Sequence, residues 1–166
     1  MKKFLKRSLV VLIVLLVIVQ IVPRNNSNNG SLDTATSIDA VHQVPENVSL
    51  ILKTSCYDCH SDHTTYPWYS NIQPISWWLS DHVEEGKREL NFSAFGTYSV
   101  RRQFHKLKEI AEQVEEQEMP LSSYTLIHRN AILNKEQSDA LVKWTKALRD
   151  SFQMVYPADS LERRKR

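Results

Sequence analysis

The sequence predicts an all-α fold for this chain of 166 residues. Apolar residues recur at the spacing of one helical face in several separate segments. No segment shows a convincing alternation of apolar and polar residues, as a half-buried strand would, and the chain holds only three glycines. The length suits one compact domain with additional segments at its ends.

The first element is an N-terminal helix over residues 1–23. Basic residues at positions 2, 3, 6 and 7 precede an apolar run from Leu9 to Val22 that only Gln20 interrupts. Positive charge stays on the cytoplasmic side, so we expect the rest of the chain to be exported. The run is short for a bilayer, but no small-residue cleavage site and no lipoprotein cysteine follow it. The sequence therefore predicts an uncleaved, single-pass signal anchor in a bacterial cytoplasmic membrane, with a cleaved leader as the alternative.

Residues 24–44 follow as a polar segment of low complexity, and we expect them to form a flexible tether. The folded domain is predicted over residues 45–150, because Pro45 is well placed at a helix start and Glu46 suits the positive end of the helix dipole. Residues 151–166 are predicted to be a basic C-terminal tail.

Four amphipathic helices are predicted within the domain. Pro74 starts the second of them, and Asn134 with Gln137 forms the capping box of the last. The apolar stripes comprise Val48, Ile51 and Leu52; Ile75, Trp78, Leu79, His82 and Val83; Val100, Phe104, Leu107, Ala111 and Val114; and Leu141, Trp144 and Leu148.

The charge balance bears on possible partners. The chain has 21 basic and 19 acidic residues, but eight of the basic residues lie in the two terminal segments. The body between them is acidic, with 13 basic against 19 acidic residues. Proteins that bind nucleic acid present a basic face, so this composition argues against a nucleic-acid partner.

Both cysteines of the chain lie in the motif Cys56-Tyr-Asp-Cys59-His60. A thioredoxin-like dithiol would need a surrounding βαβ pattern, a zinc site would need two further ligands, and a simple disulfide would leave His60 unexplained. The remaining interpretation is the attachment motif of c-type haem. Two thiols three residues apart can reach the two vinyl groups of one porphyrin, and His60 can then ligate the iron from below. The motif predicts one covalent haem.

A low-spin haem needs a second axial ligand, and Met119 is the predicted one. Of the other methionines, Met1 is the initiator and Met154 lies in the predicted tail. Pro120 is expected to end the preceding helix and to fix the loop that presents Met119. His82 and His128 are the alternative ligands.

A dense group of aromatic residues lies between the motif and Met119. A sugar-binding platform is conceivable, but apolar walls around a large flat cofactor are the favoured interpretation of Tyr66, Trp68, Tyr69, Trp77 and Trp78.

The order of the motif, Met119-Pro120 and a final amphipathic helix resembles class I cytochrome c. Residues 45–148 more closely resemble the haem-binding domain family of bacterial membrane-anchored proteins. The matching features are Ser55-Cys-Tyr-Asp-Cys-His-Ser61, Tyr66-Pro-Trp-Tyr-Ser70, Pro74, His82-Val83, Gly86, Leu90-Asn-Phe92, Met119-Pro120, Tyr124, His128 and Trp144. The resemblance implies c-haem binding and no particular substrate.

The predicted function is one-electron transfer on the periplasmic or extracytoplasmic side, between redox partner proteins that the sequence does not identify. A haem sensor or accessory domain with a displaceable sixth ligand is one alternative. A peroxidase-like haem enzyme ranks last, because the sequence shows no obvious distal acid–base set.

Overall fold

The computed structural model describes residues 1–23 and 27–162. The α-helices are α1 (Lys2–Val19), α2 (Ile38–Val41), α3 (Glu46–Ser55), α4 (Tyr57–His60), α5 (Ile75–Glu89), α6 (Val100–Glu115), α7 (Ser122–Thr125), α8 (Lys135–Val155) and α9 (Ala158–Leu161). Short 3-10 helices cover Trp68–Asn71, Phe92–Thr97 and Arg129–Ala131. Within the described ranges the only bridge outside the helices joins Asn29 and His63. The predicted all-α class is confirmed.

The core lies where α8 packs against α6 and α3. The predicted apolar stripe of α6 is buried at Phe104, Leu107, Ala111 and Val114, and Val100 at the start of the helix is partly buried. The largest fully buried side chains come from several elements and include Phe92, Phe95, Phe104, Leu52, Leu107 and Leu141. Each such side chain contributes roughly 1.5–3 kcal/mol through its removal from water.

The predicted capping box at the start of α8 is present. Asn134 Oδ1 accepts a hydrogen bond from the Gln137 backbone N–H at 2.8 Å, and Gln137 Oε1 accepts one from the Asn134 N–H at 2.9 Å. The helix then runs on to Val155, beyond the predicted domain end. Phe152 and Leu161 are buried, so the predicted tail is corrected: residues 151–162 are largely helical, and these two side chains attach them to the core. The four basic residues at 163–166 lie outside the described residues.

The predicted tether also differs from the structure, which describes its residues 27–44. Ile38 is completely buried in the core, because α2 packs against the 3-10 helix that begins at Phe92. The asparagine and glycine residues bind the loop after the cysteine motif: the side chain of Asn28 donates to Ser61 O, and the Gly30 N–H donates to Asp62 O. This polar segment is thus held against the domain by hydrogen bonds. Positions 24–26 lie outside the described residues.

Helix α1 carries almost only apolar side chains after Ser8, and it buries none of its residues. The Gln20 side chain joins its C-terminal end to the domain: Nε2 donates to Gln73 O and Oε1 accepts from the Gln73 N–H, both at 2.9 Å. The sequence predicts that this helix spans a membrane. In residues 1–23 and 27–162, no helix combines the length and the apolar character needed to cross one.

Helix α6 ends before the position that Pro120 predicts. Its last residue is Glu115, and a Schellman motif closes it: Gln117 N–H donates to Val114 O, and Glu118 N–H donates to Gln113 O. Gln117 has φ 60°, the left-handed conformation that normally selects glycine. Met119 N–H also donates to Gln113 O, at 3.1 Å. The Schellman motif therefore sets the start of the Met119 loop.

Replacing Gln117 by glycine should stabilise the protein. The left-handed conformation costs a residue with a side chain about 1–2 kcal/mol, and glycine avoids this cost. Glycine also has a larger conformational entropy in the unfolded chain, which offsets part of the stabilisation. We therefore expect the free energy of unfolding to rise by about 0.5–1 kcal/mol. Urea unfolding followed by circular dichroism measures it. Glu116→Gly is the matched control: Glu116 has a right-handed helical φ of −80°, so its replacement should destabilise. Equal effects of the two variants would contradict this assignment.

Candidate functional site

The cysteine motif forms one helical turn directly after α3. Cys56 N–H donates to Leu52 O at 2.9 Å, and His60 N–H donates to Cys56 O at 2.9 Å. Tyr57 points into the core, where its hydroxyl donates to Asp39 Oδ2 at 2.6 Å. The buried tyrosine fixes the rotation of the turn.

His60 is held from one side of its ring. Nδ1 lies 2.9 Å from Gly86 O and 3.1 Å from Leu90 O. Carbonyls only accept hydrogen bonds, so Nδ1 carries the proton and Nε2 keeps a lone pair. Burial lowers the pKa of His60, although both carbonyls oppose this shift. The imidazole is therefore neutral and oriented, which is the state that ligates a metal.

The orienting carbonyl at Gly86 depends on a very close helix contact. A Cβ atom at Gly86 would lie 2.6 Å from Cys59 O, inside any normal van der Waals distance. Only glycine lets α5 approach the motif this closely. An isolated glycine within a helical pattern often indicates a close packing contact, so this role of Gly86 could have been predicted from the sequence.

The two thiols are free and neutral. Burial, with a further contribution from Cys59, raises the pKa of Cys56 to about 12. Burial, reinforced by the negative charge of Asp58, raises the pKa of Cys59 to about 11. Catalytic dithiols have depressed thiol pKa values. These values therefore argue against a thioredoxin-like redox pair.

Two cavities of about 310 and 300 Å³ adjoin the motif and share part of their walls. Their common lining residues are Ser55, Cys56, His60, Glu89, Met119 and Pro120. The second cavity is mainly apolar, with walls from Leu90, Phe92, Ile110, Val114 and Leu141. Small-molecule sites have this character: apolar walls with a few placed polar groups.

A charged group borders the second cavity. Lys106 has only 15% of its side chain exposed, and its Nζ lies 3.7 Å from Glu89 Oε2 and 2.5 Å from Glu109 Oε2. All three residues line the cavity. The site thus combines an apolar interior with one ion-paired polar group at its border, the composition that is typical of small-molecule sites.

Asp58 ties the loop after Pro120 to the motif. Its Oδ2 accepts a hydrogen bond from Tyr124 OH at 2.8 Å, and its Oδ1 accepts one from the Thr65 N–H at 2.9 Å. Burial and the bonded carboxylate raise the pKa of Tyr124, so the tyrosine stays a donor. Nothing in the sequence indicates a role for Asp58, because its partner Tyr124 is distant in the sequence and a single aspartate belongs to no recognisable pattern.

The three candidates for a distal ligand occupy different places. Met119 lines both cavities, whereas His82 lines the first, with Nδ1 2.8 Å from Trp78 O. His128 is not part of the described lining of either cavity. Its Nε2 is hydrogen-bonded to Tyr69 OH at 2.7 Å, and its ring stacks on Tyr124. Met119 and His82 are thus the candidates that share a cavity with His60.

The aromatic residues that were expected to wall a cofactor lie elsewhere. Trp68, Trp77 and Trp78 are 77%, 40% and 46% exposed, and none of them lines the two cavities beside the motif. The first two turns of α5 bury Ser76 and Leu79 instead, and Trp77 and Trp78, which lie between them in the sequence, face outward. The apolar walls come from Leu90, Phe92 and α6.

A family model described as a haem-binding domain matches residues 14–147. The matched range includes the cysteine motif, both cavities, Met119 and most of α8. No curated protein and no solved structure is significantly similar to the chain.

Gly86→Ala should disturb the site and the fold together. The added methyl group must push Cys59 O away, and we expect a loss of about 1–3 kcal/mol in the free energy of unfolding, as for other overpacked contacts. Chemical denaturation of the variant and the wild type measures it. Glu85→Ala, at the preceding exposed position of the same helix, is the control and should change stability by less than about 0.5 kcal/mol. An unchanged Gly86→Ala protein would show that the close contact is not required.

Proposed function

Since the chain belongs to the haem-binding domain family, we propose that it is a c-type cytochrome that carries one covalent haem and transfers single electrons. The observation that carries this proposal is the arrangement around the cavities. Cys56 and His60 line both, Cys59 lines the first, and His60 has its Nδ1 bound to two backbone carbonyls. The residues present fit a haem in both chemistry and order.

Each residue has a defined task in this proposal. Cys56 and Cys59 would hold the haem as thioethers, and His60 Nε2 would ligate its iron. The bound group supplies an iron centre that cycles between the ferric and ferrous states. Phe92 packs its ring nearly perpendicular to His60, with centroids 6.4 Å apart, which limits rotation of the imidazole and excludes water. Lys106, ion-paired with Glu89 and Glu109, would form a polar border of the haem site.

We propose Met119 as the sixth ligand. It lines both cavities that contain His60, and the bonds from Glu118 and Met119 to Gln113 O hold its backbone against the end of α6. A thioether ligand favours ferrous iron and gives a higher potential than a second histidine. His82 is the alternative ligand, because it borders one of the two cavities.

We further propose that the haem domain is exported and remains at the membrane. Export is supported by the basic residues that precede an exposed apolar helix, the order that directs the following chain out of the cytoplasm. Covalent haem attachment of this kind also belongs outside the cytoplasm. Electrons would then be exchanged with redox partner proteins on that side.

Acid–organic extraction should leave the haem on the polypeptide. After co-expression with cytochrome c maturation machinery, we expect the mass of the chain to increase by one haem. Cys56→Ala and Cys59→Ala should each reduce attachment severely, because each removes one of the two bonds. Lys53→Ala, outside the motif, is the control. Haem that extracts freely from the wild type would refute covalent attachment.

The sixth ligand is tested by Met119→Ala, which should abolish the weak far-red band of a ferric methionine–iron bond and allow carbon monoxide to bind the ferrous protein. Optical spectra of both redox states measure this. Met154→Ala is a matched control, because Met154 is 81% exposed and should change neither feature. If His82→Ala opens the iron while Met119→Ala does not, the ligand is histidine. Ready binding of carbon monoxide by the wild type would favour a sensor or an enzyme.

Membrane attachment is tested in cells that express the full chain. Added protease should digest the haem domain in spheroplasts, and an alkaline carbonate wash should leave the intact protein in the membrane fraction. A protected domain would contradict export. A washed-out or shortened product would contradict retention through α1.

A further inference from the structure

A cluster of large apolar side chains is exposed around the start of α5. Trp68 is 77% exposed, Ile72 39%, Ile75 40%, Trp77 40% and Trp78 46%. The five residues lie within eleven consecutive positions that include the 3-10 helix Trp68–Asn71 and the first turn of α5. Single exposed apolar residues are ordinary, but a cluster with three tryptophans marks an interaction site. We call this cluster the tryptophan face.

The tryptophan face adjoins the end of α1. Gln73 lies between its two halves, and the Gln73 backbone makes both hydrogen bonds that hold the Gln20 side chain. Helix α1 exposes apolar side chains from Leu9 to Ile18 and buries none of them. The exposed apolar surface of α1 and the tryptophan face thus meet at the Gln20–Gln73 contact. If α1 lies in a membrane, the surface of that membrane is next to the tryptophan face.

The polarity of α5 changes along its length. Its first turn carries Ile75, Trp77 and Trp78, whereas its solvent-facing side after Ser80 carries Asp81, Glu84 and Glu85. An apolar end and a charged remainder, which also includes Lys87 and Arg88 in the last turn, match a helix that meets a lipid surface with its first turn only. Tryptophan suits this position, because its large ring is apolar and its N–H finds a polar partner at the headgroup level.

We propose that the tryptophan face docks onto the lipid bilayer at the interface beside α1. This inference rests on the proposed membrane attachment and adds to it a fixed orientation of the domain. Along the axis of α5, Gly86 lies roughly 17 Å from Ile75, at 1.5 Å per residue. Docking would therefore hold the His60 site at a set distance from the membrane rather than on a free tether.

The test uses the full-length holoprotein in vesicles of phosphatidylethanolamine and phosphatidylglycerol. The photoreactive residue benzoylphenylalanine replaces Trp68 or Trp77, two exposed positions where an aromatic side chain is retained. A third protein carries it in place of Leu12 of α1, and a fourth in place of Met154, which is 81% exposed at the far end of α8. After irradiation, mass spectrometry counts lipid and protein adducts at each position.

Lipid adducts at positions 68 and 77 should exceed those at position 154 by roughly tenfold, because interfacial side chains remain among lipids. Position 12 separates the two proposals. Lipid adducts at position 12 without any at 68 and 77 would overturn the docking inference while leaving membrane attachment intact, and the absence of adducts at all three would overturn both. Cross-links from 68 and 77 to a second copy of the chain or to another protein would also overturn docking.

Discussion

The close contact between α4 and α5 at Gly86 is the constraint on which the site depends. Because no Cβ separates the two helices, the Gly86 carbonyl can reach His60 Nδ1, and the end of α5 brings the Leu90 carbonyl to the same atom. The imidazole is thereby oriented by backbone groups, which cannot rotate away as a side chain could. Backbone orientation of a ligand histidine fixes its tautomer and increases the basicity of the other nitrogen.

The core and the cavity share their side chains. Phe92, Ile110, Val114 and Leu141 belong to the buried cluster between α6 and α8 and also line the second cavity. A ligand that fills this cavity would complete the packing of the core, so its binding free energy would add to the stability of the folded state. The burial that gives this coupling also keeps the two thiols protonated and His60 neutral.

The features that could be predicted from the sequence are those that depend on residues close together in the chain. The cysteine motif, the buried α6 stripe and the Asn134 cap each depend on neighbouring residues, and the structure forms the corresponding turn, helix and capping box. The packed segment 27–44 could not be predicted in this way, because Asn28 and Gly30 bind partners more than 30 positions away. The outward tryptophans were missed for a related reason. Ser76 and Ser80 are buried beside Leu79 and Val83, so the buried face of α5 is rotated away from Ile75 and Trp78, which hydrophobicity alone would select.

Helix α5 connects the tryptophan face to the cysteine motif. Its first turn carries the exposed Trp77 and Trp78, and its last turns carry Gly86 and Glu89 beside the motif. The bonds between Gln20 and Gln73 connect the residues just before this turn to α1. A continuous helix is stiff over this length, so a contact made by the tryptophans would fix the direction in which the His60 site faces. Electron transfer between proteins depends on how closely their cofactors approach, and a fixed direction would favour partners that meet the domain on the side away from α1.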